Sequence, residues 1–515
     1  MNSGTILLYQ WLTQGTLLLF VFATGACAGS FLNVVAYRLP RGQSVVSPPS
    51  ACPGCRTALG WRENLPLFGW LLLRGKCRHC GMRISPQYVL MEFVVAVLFA
   101  ALWIIWGVDE RALSGLGVHL GFWRPEWVGA GMVLMWPMFM LAVVLVGALV
   151  VSTLIDAQTF TIPAVIPWIT MALGLVVHPV LAVFVAREGG LPGEHVWTIP
   201  APASGFAWPF VFAGLGGLAG LLVANSALAL KLIPRSFADF EEWEREAQAA
   251  EDAAKNTPED AAPTDAQPAE PDSLRGVLVR TLLLTGPAVA GMFAGTLLMA
   301  PAGNALPGLA LGGALGLLLG AVLRSRVATP DASDAPLWAH YPHARREMVK
   351  ECLFLLPVVG LMVAGLWLGL GRAAPVEEIA ATGELVSLAE PPPLWLTALG
   401  ASAVGALVGG GVVWAVRILG SFAFGKEAMG LGDVHLMAGV GAVLGWADPL
   451  LAFFVAPFFG IAWAVLAPLL GKLVRLPTML PYGPHLALAT LLILYAKPAA
   501  EGLLTLVLRS PVNLP

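Results

Sequence analysis

Residues 130–156 read AGMVLMWPMFMLAVVLVGALVVSTLID, an uncharged apolar run that closes on an aspartate. A helix crossing the hydrocarbon core needs about 20 mostly apolar residues, so this stretch reads as a membrane span that delivers a carboxylate to the bilayer surface. The rest of the chain agrees with it. Of 515 residues, 57% are hydrophobic and 12% charged, and mean hydropathy is +0.78. Soluble domains carry about a quarter charged residues, so a string of water-facing domains is excluded. No broad basic stripe exists, and a nucleic-acid partner is not expected. The net charge of −3 says little, because the charges sit in a few loops.

Twelve stretches qualify as spans: 15–36, 88–108, 130–152, 163–185, 206–232, 277–299, 305–323, 352–370, 395–416, 434–447, 449–470 and 480–496. With the N-terminus outside, the cytoplasmic loops hold 21 of the 29 Lys and Arg residues, and the outside loops and C-terminal tail hold 6. Cytoplasmic loops retain basic residues, so this orientation is the expected one. Residues 1–14 have no positive n-region, and the first span reads as a retained helix. The expected fold is an all-α polytopic membrane protein of about 12 transmembrane helices with a small cytoplasmic zinc-bound loop domain.

That loop domain, 37–87, contains Cys52-Pro-Gly-Cys55 and Cys77-Arg-His-Cys80. Two Cys-x-x-Cys knuckles can offer four thiolates to one tetrahedral Zn²⁺, and a reducing compartment disfavours the disulfide alternative. A loop of this size has little core of its own, so metal binding would supply folding energy and the site reads as structural. His79 is a spare ligand or a solvated residue. The surrounding Arg56, Arg62, Arg74, Lys76, Arg78 and Arg83 face anionic lipid or an acidic partner. Cys27 and Cys352 fall at spans and read as small packing residues.

Two aspartates stand out among the scarce charges. Asp156 ends the third span, seven residues before Pro163, and Asp433 closes Gly430-Leu431-Gly432-Asp433. The charge count places both on the cytoplasmic face. Carboxylates brought together in a partly dehydrated site cannot both ionise cheaply, so such a pair can serve as acid and base toward a water attacking a peptide carbonyl. Gly430 and Gly432 remove Cβ atoms beside Asp433 and permit close approach. Alone, an Asp at a helix start is more often a cap.

These blocks resemble the prepilin peptidases, bacterial membrane aspartyl proteases of the Gly-x-Gly-Asp type. The resemblance rests on Gly29-Ser30-Phe31-Leu32-Asn33-Val34-Val35-Ala36-Tyr37-Arg38-Leu39-Pro40, the paired Cys-x-x-Cys loop with Glu63-Asn64-Leu65-Pro66 and Glu92, the two aspartate motifs, and Pro481-Tyr482-Gly483-Pro484. It implies Asp156 and Asp433 as the catalytic pair, with support from Gly430, Gly432 and Pro163, in the bacterial cytoplasmic (inner) membrane. It further implies removal of a basic leader from precursors with an apolar N-terminal helix, the prepilins of type IV pili or pseudopilins of type II secretion. The resemblance alone also implies N-methylation of the new terminus with S-adenosylmethionine as donor. Ala164 and His435 depart from the family's usual residues, which keeps open an inactive relative. A transporter or assembly scaffold with a zinc-bound loop is the other alternative.

The domains expected are a first helix (1–36), the Cys loop (37–87), a membrane core holding Asp156 (88–232), an acidic disordered cytoplasmic insertion (233–276), an inserted transmembrane region (277–400) and a second membrane core holding Asp433 (401–515). The insertion between the aspartates either binds a partner or lipid or is tolerated padding.

Overall fold

The computed structural model describes residues 3–108, 123–125, 128, 132–187, 207–255, 341–372, 376–379, 384–387, 390–470 and 481–509. In chain order its helices are α1 (Ser3–Arg38), α2 (Phe68–Leu72), α3 (Gln87–Trp106), α4 (Met132–Thr159), α5 (Val165–Arg187), α6 (Ala207–Ala229), α7 (Phe240–Lys255) and α8 (Ala344–Leu370). After a two-stranded antiparallel hairpin, β1 (Val376–Ile379) with β2 (Glu384–Ser387), come α9 (Leu394–Phe424), α10 (Leu431–Leu444), α11 (Ala447–Leu470) and α12 (Tyr482–Leu508). The hairpin lies between the expected spans 352–370 and 395–416.

Among the described residues, nine helices are long and apolar enough to cross a membrane, and α10 is a shorter apolar helix. These ten coincide with ten of the twelve expected spans. The other two, 277–299 and 305–323, lie outside the described residues. Two expectations need correction. The acidic segment is not without structure throughout, since α7 occupies Phe240–Lys255. Cys27 and Cys352 face outward rather than packing inside.

The short α10 is the centre of the molecule. Fourteen residues rise about 21 Å, less than the roughly 30 Å hydrocarbon core. Length is not a constraint here, because its neighbours α5, α9, α11 and α12 enclose it and ten of its residues are buried. Its last carbonyls would otherwise be orphaned in a dry interior. Ser402 Oγ of α9 donates to the Ala442 carbonyl (2.7 Å), and His178 Nε2 of α5 donates to that of Val443 (3.0 Å).

Close backbone approach makes this enclosure possible. Gly405 of α9 and Gly441 of α10 face one another, and a Cβ on either would overlap the other's backbone carbonyl. Small residues at such crossings are the usual means by which helices pack in lipid, where no hydrophobic drive separates helix from tail. The same device joins α6 to α8 in antiparallel fashion, with Gly220 against Pro357–Val358 and Gly365 against Phe212. The C-terminus of α6 and the N-terminus of α8 therefore share a face of the bundle.

Gly441→Val should push α9 from α10 and cost about 1–3 kcal/mol by overpacking. A fall of several degrees in the unfolding temperature of the detergent-solubilised protein is expected, and an unchanged temperature would show that the crossing can relax.

Candidate active site and cysteine cluster

Asp156 lies one turn from the end of α4. The turn beyond it is tied down by Thr159, whose hydroxyl donates to the Ile155 carbonyl (2.9 Å) and pairs with Thr161 Oγ1 (2.9 Å), while the Phe160 amide donates to the Asp156 carbonyl (2.8 Å). Pro163 then starts the approach to α5, its carbonyl accepting from the Ile166 amide (3.2 Å). Asp433 sits in the first turn of α10, its amide bonded to the Gly430 carbonyl (3.2 Å).

Although 277 positions separate them in sequence, both carboxylates are buried on neighbouring elements, where Gly432 of α10 presses on Ile162 just beyond Asp156. Asp156 is 5% exposed and Asp433 is 7% exposed, and the Asp156 charge is among those acting on Asp433. Backbone amides face both groups, Gly483 toward Asp156 and Gly430 toward Asp433. Burial with a like charge nearby raises the cost of ionising both together, the electrostatic condition that lets one acid and one base coexist.

The supporting glycines divide in role. A Cβ at Gly432 would stand 2.8 Å from the Ile162 Cβ, so its absence lets α10 press against the turn that follows Asp156. A Cβ at Gly430 would meet the Asp433 carboxylate at 3.6 Å and the Gly432 nitrogen at 3.9 Å, both ordinary contacts, so sterics do not demand glycine there. Ala164 lies between Pro163 and the start of α5. The His435 ring stands edge-on to Trp168, 5.8 Å between centroids.

Sequence reasoning gave no role to three further groups. Gly483, at the start of α12, has no room for a side chain, because a Cβ would overlap Asp156 Oδ2. Tyr482 beside it lies within the field of Asp433 and donates its hydroxyl to the Phe453 carbonyl (3.4 Å). Arg417, counted from sequence as a loop cation, is instead inside α9 and 1% exposed, with Asp433 in its field. The Pro-Tyr-Gly-Pro turn was the available signal for the first two. Nothing in a hydropathy scan marks the third.

The cysteine cluster lies in the loop between α1 and α3. All four Sγ atoms fall within 4.8 Å of one another, with Cys52–Cys80 at 3.7 Å and Cys55–Cys77 at 4.0 Å. Those separations are far beyond a disulfide bond. They match the edge of about 3.8 Å that four sulfurs at about 2.3 Å from one ion would form. Each knuckle closes with an isolated bridge, Ala51 to Ala58 and Lys76 to Arg83, and turns through positive φ after its second cysteine, at Arg56 and Gly81. The hydroxyl and amide of Thr57 draw the Cys55 thiol down to about 6. The Met82 amide pulls Cys80 the same way, but burial and the neighbouring thiols win and push it up to about 11. Four thiols this close resist joint deprotonation unless a cation sits among them, so the cluster can hold a metal ion. His79 is not part of it, its Nε2 standing 3.7 Å from Glu63 Oε1. The loop is anchored to the bundle by Glu92, whose Oε2 accepts from the Leu67 amide (2.7 Å), and by Asn33, whose side-chain amide donates to the Tyr88 carbonyl (3.1 Å).

Residues 23–106 match the bacterial peptidase A24 N-terminal domain, and residues 356–465 match the type IV leader peptidase family. The first stretch contains the cysteine cluster and the second contains Asp433, while Asp156 lies between them. The chain is 52% identical over 82 residues to a prepilin leader peptidase/N-methyltransferase of Myxococcus xanthus, covering 16% of this chain and 24% of the relative. It is 42% identical over 103 residues to one from Klebsiella pneumoniae (19% and 45%) and 43% identical over 101 residues to one from Vibrio cholerae (17% and 39%). The chain thus spans less than half the length of these curated relatives. No solved structure matches.

Gly483→Ala must displace either the Asp156 carboxylate or the start of α12. A loss of about 1–3 kcal/mol is expected from overpacking, read as a lower unfolding temperature, with the metal content of the cysteine loop unchanged.

Proposed function

We propose that this chain is a prepilin peptidase, an aspartyl endopeptidase that removes a basic leader from prepilin or pseudopilin precursors at the cytoplasmic face of the bacterial inner membrane. What supports this reading is that Asp156, at the end of α4, and Asp433, at the start of α10, are both buried and that the Asp156 charge acts on Asp433. The excess of basic residues in the loops of that same face supports the orientation, with the N-terminus outside.

In this reading Asp156 and Asp433 share a proton. The ionised member takes a proton from water as it attacks the scissile carbonyl, and the protonated member delivers its own to the leaving amine. Buried acids working as a unit suit a substrate whose apolar helix is itself held in lipid. Gly432 and Gly483 leave room for the two elements to close on the pair, and the Gly430 and Gly483 amides hold the carboxylates in orientation. The inactive and transporter-like alternatives lack an observation of this kind in their favour.

Zn²⁺ is the ion we assign to Cys52, Cys55, Cys77 and Cys80, as a structural cross-link of the two knuckles. It would supply folding energy to the loop and takes no part in peptide hydrolysis. The relatives' names carry N-methyltransferase as a second activity. We extend it to this chain as a proposal, with S-adenosylmethionine as the methyl donor, and derive no step through that donor.

Co-expression with a type IV prepilin tests the central claim. Leader removal is expected from the wild type, with Asp156→Asn and Asp433→Asn each reducing it by at least about a thousandfold, as for groups that act as a unit. Cleavage that persists in either variant would refute the pair. For the metal, the purified protein is expected to carry one zinc per chain by elemental analysis, and Cys77→Ser to release it and lower the unfolding temperature. A zinc-free wild type refolded with zinc present would overturn that assignment.

A further inference from the structure

Helix α8 touches the site through one buried cation. Arg417 of α9 is fully enclosed, and its guanidinium meets partners from three directions. Its Nε and Nη2 donate to both carboxylate oxygens of Glu351, at 3.1 Å from Nε to each and 2.9 Å from Nη2 to Oε1. Its Nη1 donates to Glu427 Oε1 and to the Met429 carbonyl. The Phe237 ring covers the remaining face, 5.3 Å from the guanidinium carbon.

These partners belong to different parts of the chain. Glu427 and Met429 lie in the six-residue loop, 425–430, that joins α9 to α10 and ends at Gly430, three residues before Asp433. Glu351 comes from α8, between the two aspartates in sequence and just ahead of the stretch 356–465 that matches the leader peptidase family. It is 3% exposed and is itself oriented by Trp414, whose indole Nε1 donates to Oε2 at 2.6 Å. The start of α8 is pinned to the same place by Arg345, whose Nε donates to the Phe422 carbonyl (3.0 Å), and by Phe354 packed on Trp414. The loop is also tied to Ser421, whose Oγ accepts from the Ala428 amide (3.0 Å) and whose carbonyl accepts from the Gly425 amide (2.9 Å).

We infer that Glu351 is a positioning residue for the Gly-x-Gly-Asp turn: by fixing Arg417, helix α8 holds the 425–430 loop and so aims Asp433 at Asp156. A buried guanidinium must be paired, and its geometry follows its strongest partner. Glu351 grips the Nε edge in a forked arrangement, which leaves Nη1 directed at Glu427 and Met429. Without Glu351 the cation keeps a single carboxylate, is free to swing toward it, and releases the Met429 carbonyl. Helix α8 is on this account a working part of the site and not padding.

This inference rests on the peptidase reading, and its test separates the two. Full-length protein in lipid nanodiscs is followed by hydrogen exchange of the 425–430 amides and by steady-state cleavage of a prepilin, for wild type, Glu351→Gln, Glu351→Asp and Trp414→Phe. Glu351→Gln preserves shape and volume. It is expected to speed exchange of the Ala428 amide by about tenfold or more while amides in α4 and α12 keep their protection. It should lower kcat by about ten- to a hundredfold, the scale of a misplaced reacting group, with KM within about twofold. Glu351→Asp should recover part of the loss, Trp414→Phe should show a smaller one, and Arg372→Gln at the far end of α8 should behave as wild type. Unchanged loop exchange in Glu351→Gln would overturn the inference. So would faster loop exchange with kcat intact, or a general loss of protection across the bundle, which marks a merely structural residue. Failure of the wild type to cleave would count against the peptidase reading alone, and the exchange result would still decide the contact.

Discussion

Ionised groups are costly in or beside hydrocarbon, and that constraint orders this molecule. Its buried charges do not scatter. At the face that carries the two aspartates, Arg417 gathers Glu351 and Glu427, and at the other end of the bundle Lys497 of α12 meets Asp448 of α11 at 3.2 Å. Each cation has a carboxylate partner: Lys497 with Asp448 forms a neutral pair, and Arg417 with Glu351 and Glu427 carries one net negative charge. Asp156 and Asp433 depart from that rule, as does Glu92, which holds the Leu67 amide. The two aspartates have each other, backbone amides and one already engaged arginine for company. A departure that costs stability and sits where two spans end is what a catalytic pair requires.

The helices obey the same constraint through their backbones. The last carbonyls of α10 end in the interior, where water cannot serve them, and Ser402 and His178 do so instead. Because α10 is enclosed on its flanks, it need not reach across the bilayer, and Asp433 in its first turn is buried by the surrounding helices although it starts a helix.

How much of this was legible in the sequence follows from the same physics. Asp156 and Asp433 were readable because a charge at the edge of an apolar run is conspicuous, and the four cysteines because knuckle spacing is local. Arg417 was misread because hydropathy treats the first charge as the end of a span, whereas α9 continues to Phe424 around a paired guanidinium. The acidic segment was misread for a related reason. Its composition is that of a solvated chain, yet Phe237, Phe240 and Trp243 pack on Tyr341, at 5.5, 5.5 and 5.3 Å between centroids. Asp239, held down to about 2 by the Tyr341 hydroxyl and by Arg346, adds a charged clasp to that packing. Few aromatics suffice when they share one partner, and averaged composition does not see it.

The insertion is constrained most by sidedness. Helices α6 and α8 run antiparallel, so residues 229 and 344 lie at the same face, and any crossings made between them must be even in number. Two spans at 277–299 and 305–323 satisfy that parity, and so would none. Either way α9 starts from the far face, α10 starts from the near one, and Asp433 returns to the side of Asp156. Parity alone would bring the second aspartate to the correct surface without aiming it. In the proposal made above, the aiming comes from the contact of Glu351 of α8 with Arg417 of α9. A helix that grips the loop before Asp433 in this way would alter the site whenever it shifts. A helix held only by lipid on every side would have no such lever.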